Sequence, residues 1–342
     1  MMKPAKIVIA IPLLALSSVA YGEQLSSQIE QDSSGQQLIH QTVKNQGTPL
    51  SVENIQQIGG NLTNSVESSA TTLRNISQEY TGQQITANEI ISRTLSALTA
   101  LTQESSNVAN VVRGTRVQRV DQKFTENALQ QGRNIIDVAV LPGSVSQYGL
   151  NSANLIYATE SIGIGSQDFS EGSTQKVENI AKIRRSGAGG NILQKGENLG
   201  NIIIADRVDE VVREYSGDQI IINEVSLSSG AIPSGIVQEG VNIANYIEAG
   251  SIGKIVQKST GKQLVTNKVT VTSLDGYTRE ITSHPNLTQT SQNYVNMIIM
   301  KPSSDGNAPM QTSIEQSSTY DQMSSNTNGQ SVQVGNSASI ER

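Results

Sequence analysis

Gln57-Ile-Gly-Gly-Asn61-Leu-Thr-Asn64 opens a unit that occurs six times along the chain. The copies begin at Gln57, Gln103, Gln147, Gln194, Gln238 and Gln289. An Asn follows each Gln by four residues (Asn61, Asn107, Asn151, Asn198, Asn242, Asn293) and a second by seven (Asn64, Asn110, Asn154, Asn201, Asn245, Asn296). A β-branched residue stands at plus nine in every copy: Val66, Val112, Ile156, Ile203, Ile247 and Ile298. Agreement at four positions in all six copies is the mark of a repeat architecture.

A second pattern lies between these copies. Gln78, Gln84 and Asn88 recur as Gln122, Gln130 and Asn134, as Gln167, Gln175 and Asn179, and as Gln257, Gln263 and Asn267. Arg213 replaces the first Gln in the copy that continues with Gln219 and Asn223. A leading copy, Gln31-Gln37-Gln41, has no first half before it, and a degraded one follows at Gln316, Gln322 and Asn326. First-half starts are separated by 46, 44, 47, 44 and 51 residues, a mean near 46. Both halves carry Gln followed four residues later by Asn, so the unit reads as a duplication. A half of about 23 residues suits one solenoid turn of two short strands, because a strand residue advances about 3.3 Å. The expected fold is an all-β solenoid of about six duplicated repeats, two rungs each, over residues 23–300, with a polar tail or degenerate final rung over 301–342.

Periodicity leaves a helical alternative for residues 88–112, where Ile91, Leu95, Leu98 and Leu101 fall on one side. Alternation in Gln219-Ile-Ile-Ile-Asn223-Glu-Val225 and the β-branched positions favour strands. Strand parity then puts Gln238, Gly240, Asn242 and Ala244 on one face and Glu239 and Val241 on the other. Charges avoid interiors, so the amide face is the better interior. Plus-nine Ile or Val has the opposite parity from the first Asn, so the strand must bend between them. The Asn at plus seven suits that corner, because it tolerates left-handed backbone. Stacked amides can hydrogen-bond from rung to rung in continuous ladders; the competing reading is that they are solvated turn residues.

Composition agrees with a regular stack. Aromatic residues make up 3%, with no Trp and two Phe, so large anchors are too few for an ordinary globular core. Net charge is −6 with both signs interspersed, which leaves no basic stripe for nucleic acid. Residues 1–22 read as a secretory signal, with Lys3 and Lys6 before an apolar run from Ile7 to Leu16 and small residues at Ala20 and Gly22. The run is shorter than the roughly 20 residues a membrane span requires. Cysteine is absent, which excludes a disulfide framework.

Gln147-Tyr-Gly149-Leu-Asn151-Ser-Ala153 and Gln238-Glu-Gly240-Val-Asn242-Ile-Ala244 resemble the repeat of the curlins, the bacterial functional-amyloid subunits of curli fibres. The resemblance covers roughly residues 29–326. It implies a secreted subunit that polymerises with itself at the bacterial cell surface, with Gln and Asn ladders inside and possible accessory partners in a nucleating subunit and an outer-membrane export pore.

Catalytic material is sparse. The chain holds only His40 and His284, too few for a triad or His cluster. Glu210, Glu214, Asp206 and Asp209 are interleaved with Arg207 and Arg213, as on a solvated charged face. Gly163-Ile-Gly165 and Gly187-Ala-Gly189-Gly190 lack the Gly-Lys-Ser/Thr or full dinucleotide fingerprint that would make them phosphate loops. No enzyme, cofactor or metal is expected. Two functions follow: a self-assembling fibre subunit, with outward Lys195, Glu239, Glu248, Lys254 and Lys268 opposing lateral aggregation, or an adhesin that contacts carbohydrate or a cell surface through Tyr148, Tyr157, Tyr215 and Tyr246.

Overall fold

Alternating inward amide and outward charged or apolar residues build strands from one end of the described chain to the other. The computed structural model describes residues 28–45, 54–93, 99–141, 143–185, 189–228, 232–281, 284–302, 310–326 and 329–340; the expected signal segment lies outside them. The strands are β1 (Gln28–Ser33), β2 (Gln36–Asn45), β3 (Asn54–Tyr80), β4 (Gln83–Ser92), β5 (Ala100–Phe124), β6 (Leu129–Val140), β7 (Ser144–Phe169) and β8 (Thr174–Arg185). They continue as β9 (Asn191–Tyr215), β10 (Asp218–Leu227), β11 (Gly235–Thr272), β12 (Thr278–Glu280), β13 (Leu287–Met300), β14 (Met310–Asn326) and β15 (Gly329–Ile340). Described residues 88–92 and 100–112 are strand, so the helical alternative is discarded there.

The main path is one curled sheet in the order β1-β3-β5-β7-β9-β11-β10-β8-β6-β4-β2. Its pairings are parallel and in repeat register: Gln57 lies opposite Gln103, Gln103 opposite Gln147, and Gln147 opposite Gln194. The second halves stack likewise, Gln84 on Gln130 and Gln130 on Gln175. The all-β solenoid is as expected, but the turn is not. One turn takes a whole repeat near 46 residues, not half of it, so each repeat contributes one rung rather than two.

The two halves face each other across that turn. Asn61 Nδ2 donates to Ile85 O and Thr86 Oγ1, both at 3.2 Å, while Gln84 Nε2 donates to Val108 O at 2.9 Å. Further along, Gln78 Nε2 donates to Asn64 O at 2.7 Å and Asn64 Nδ2 to Glu79 O at 2.6 Å. The duplicated Gln and Asn spacing therefore lines two opposed layers of one flattened turn.

The bend anticipated near the second Asn is present, since the plus-nine residues are buried together with the first Asn of each copy. Asn64 and Asn110 take left-handed φ values of 52° there. Past the bend, Val66, Leu73, Val112, Val117, Ile156, Ile203 and Ile247 form an apolar end of the turn. Ile90, Leu101, Ile136, Val145, Val225 and Ile236 close the other. The bend also folds the outer surface onto itself. Burial stops alternating and becomes continuous over residues 107–112 and 242–247. Outward Val108, Leu199, Ile243 and Tyr294 thereby pack with Val111, Leu155, Ile202 and Tyr246 in a separate cluster.

Between the amides the layers are matched in size. Gly149, Gly196 and Gly240 lie opposite Val177, Ile221 and Val265, whereas Ser105 lies opposite Gly132. A Cβ on Gly196 would meet Ile221 Cγ2 at 2.6 Å. Gly196→Ala is expected to lower stability by about 1–3 kcal/mol through overpacking. In urea titrations, combining it with Ile221→Ala should cost less than the sum of the two single changes, because the clash is removed. Strict additivity would mean that the layers are not in contact there.

The two Phe of the chain occupy the same interior. Tyr80, Phe124, Phe169 and Tyr215 stack with centroid separations of 5.5, 4.7 and 4.3 Å, opposite the small residues Ala109, Ala153 and Gly200. Of the two readings of residues 301–342, a final rung fits the described part: β14 pairs with β11 and β15 with β13, both parallel and in register.

Candidate functional site

Three amide columns run along each layer. In the first layer, Gln57, Gln103, Gln147, Gln194, Gln238 and Gln289 form one, each donating to the preceding Gln at 2.7–3.0 Å. Asn61, Asn107, Asn151, Asn198, Asn242 and Asn293 form the second, each donating to the following Asn at 2.9–3.0 Å. Asn64, Asn110, Asn154, Asn201, Asn245 and Asn296 form the third at 2.8–2.9 Å, and Asn296 passes the bond on to Asn336. Their side chains are closed off from solvent in the central rungs, so solvated turn positions do not describe them.

The facing layer repeats the arrangement. Gln37, Gln84, Gln130, Gln175, Gln219, Gln263 and Gln322 make a continuous column, and Asn88, Asn134, Asn179, Asn223, Asn267 and Asn326 another. Most of these amides also donate across the core; Asn151 Nδ2, for example, also reaches Lys176 O at 3.0 Å. Sense of direction separates the two residue types. Every Gln column donates toward the N-terminal rung and every Asn column toward the C-terminal rung. Opposed columns cancel their axial dipoles, and each end of the solenoid presents donors from one residue type and acceptors from the other.

Column three of this layer is interrupted. It runs through Gln31, Gln78, Gln122 and Gln167, meets Arg213, and resumes at Gln257 and Gln316. Arg213 is fully enclosed, and its Nη1 donates to Gln167 Oε1 at 3.2 Å and to Asn201 O and Tyr246 O at 2.8 Å. Among the described residues its Nε and Nη2 have no acceptor, and neither does Gln257 Nε2, which faces a side chain with no oxygen. Burial pushes the guanidinium pKa well below its ordinary value. A second irregularity is at the start: Gln41 stands where the column calls for Asn, its Nε2 goes to Ile58 O at 2.9 Å, and Asn88 Oδ1 is left buried without a partner among the described residues.

Outside, Lys195, Glu239, Glu248, Lys254 and Lys268 are all at least partly exposed. Charge pairs join successive rungs there, Lys254 to Glu210 at 3.0 Å and Lys258 to Glu214 at 2.8 Å. Exposed pairs of this kind contribute little stability and mainly favour the register. The four tyrosines expected to form a contact face are not together. Tyr215 is in the aromatic column and Tyr246 in the folded-back outer cluster, both buried. Tyr148 is half-buried and donates to Glu197 Oε2 at 2.8 Å, with burial first and Glu197 second holding its pKa above the ordinary range; Tyr157 alone is exposed. Among the described residues no three His, Cys, Asp or Glu side chains gather to hold a metal ion.

No protein-family model, curated protein or solved structure matches the chain. The fold and ladders therefore define the class, a repeat β-solenoid with buried Gln and Asn columns.

Proposed function

We propose that this chain is a secreted structural subunit that assembles with itself into an extracellular, amyloid-like fibre of the cell surface or biofilm matrix. The observation that carries the reading is the pair of open ends. Among the described residues β1, β2, β14 and β15 each pair with a neighbouring strand on one side only, and the inward amides Gln31, Gln37, Gln316 and Gln322 are half-exposed where the equivalent central amides are sealed. Unpaired strand edges are templates for further strands. The flanks, in contrast, carry charges that oppose lateral association. The resemblance of Gln147–Ala153 and Gln238–Ala244 to the curlin motif supports the same reading, with a nucleating subunit and an export pore as its accessory proteins.

Chain lacking residues 1–22 should remain strand-rich while converting into filaments in a concentration-dependent way, and sonicated filaments should shorten the lag when added as seeds. Monomer that persists at high concentration in the presence of seeds contradicts the proposal.

A further inference from the structure

We infer that the docking partner of the C-terminal rung is the N-terminal rung of a second copy of this chain, parallel and in repeat register. This inference rests on the fibre reading and adds polarity and register to it. The stacking puts Gln316 on Gln31, Gln322 on Gln37 and Asn336 on Asn64 of the next copy. Amide sense carries the choice. At the C-terminal end, Gln316 and Gln322 donate inward to Gln257 and Gln263, which leaves their Oε1 atoms as the outward acceptors of their columns. At the N-terminal end, Gln31 and Gln37 already accept, through Oε1, from Gln78 and Gln84, so their outward group is the Nε2 donor. The Asn column is complementary in the opposite sense: Asn336 Oδ1 is taken by Asn296, and Asn64 Nδ2 by Asn110. That leaves Asn336 Nδ2 to meet Asn64 Oδ1. Joining two like ends with each of these three columns set on its own counterpart would place donor against donor and acceptor against acceptor.

Apolar exposure follows the same register. Leu38 and Met323 are 58% and 57% exposed, and they are the two ends of one outer column that passes through Ile85, Gln131, Lys176, Ile220 and Leu264, apolar toward both ends. Head-to-tail stacking places Met323 beside Leu38 of the next copy and covers both. Ile314 meets Ile29 in the adjoining inner column, where each packs against the buried apolar cluster of its own end. Chain order is also kept, because the described path begins with the β1–β2 layer and ends with β15 in the facing layer. Such a heterologous contact does not close on itself and generates an open filament.

The chain has no Cys, so single thiols can be placed at will. Leu38→Cys and Met323→Cys chains, both outward and exposed, would be mixed in equal amounts, assembled and oxidised. Strand spacing of about 4.8 Å lies within disulfide reach. The expected product is a 38–323 linked dimer identified by mass spectrometry, with no 38–38 or 323–323 species. Filaments that give like-end linkage, or no linkage, overturn the register and leave the fibre reading standing. Failure of the unmodified chain to form filaments overturns that reading, and the docking with it.

Discussion

Arg213→Gln raises the stability of the folded chain by about 3 kcal/mol, the scale set by three buried donors that regain or no longer need a partner. Those donors are Arg213 Nε and Nη2 and Gln257 Nε2. A Gln at 213 would donate to Gln167 Oε1, which now receives Arg213 Nη1, and accept from Gln257, which now finds no oxygen there. Desolvation of the guanidinium disappears as well, since an enclosed cation without a carboxylate is costly. Arg213→Met separates the two contributions: it removes the charge but supplies no amide. Urea or guanidinium unfolding should order the three chains as Gln above Met above Arg. If Met equals Gln, the gain is desolvation alone and the ladder contributes nothing at this rung.

The second large effect is in the opposite direction. Asn198 is fully buried, accepts from Asn151 at 2.9 Å, and donates to Asn242 Oδ1 at 3.0 Å and Ile220 O at 3.1 Å. Asn198→Leu keeps the volume and orphans all three partners, an expected loss of about 4 kcal/mol at 1–3 kcal/mol for each stranded group. Changing Asn151 to Leu as well should not double that loss. The two single variants share an interface whose orphaned donor and acceptor both vanish in the double variant, so it should be less destabilised than the sum by about 1–3 kcal/mol. Additive losses would show that the amides bond across the core and not along the column.

Much of this architecture is legible in the sequence. Repeat spacing, the parity of Gln238, Asn242 and Ala244, and the need for a bend before Ile247 lead to strands with amides inside. The turn length does not follow, because Gln57-to-Asn61 and Gln84-to-Asn88 have identical spacing whether they stack on one another or face one another. Only pairing registers such as Gln57 with Gln103 separate the two cases. Tyr246 was misplaced for a related reason. The bend beside Asn245 inverts the parity so that inward Ile247 leaves Tyr246 outward, but the same bend folds the outer surface closed, and a local pattern carries no information about that closure. Tyr215 occupies the position held by Tyr80, Phe124 and Phe169 in other turns, and that column is legible once the register is known. Arg213 is visible as a departure from the repeat, whereas its missing acceptors become visible only when Gln257 is seen beside it.

Axial spacing in filaments of the chain lacking residues 1–22 tests the account most directly. Each layer contributes seven rungs to one copy, so head-to-tail stacking predicts a subunit repeat of roughly 34 Å beneath a strand reflection near 4.8 Å. Fibre diffraction or cryo-electron microscopy reads both. A strand reflection with a subunit repeat near 67 Å, twice that value, would contradict head-to-tail stacking of seven-rung copies, since two rungs per repeat or pairing of like ends gives that spacing.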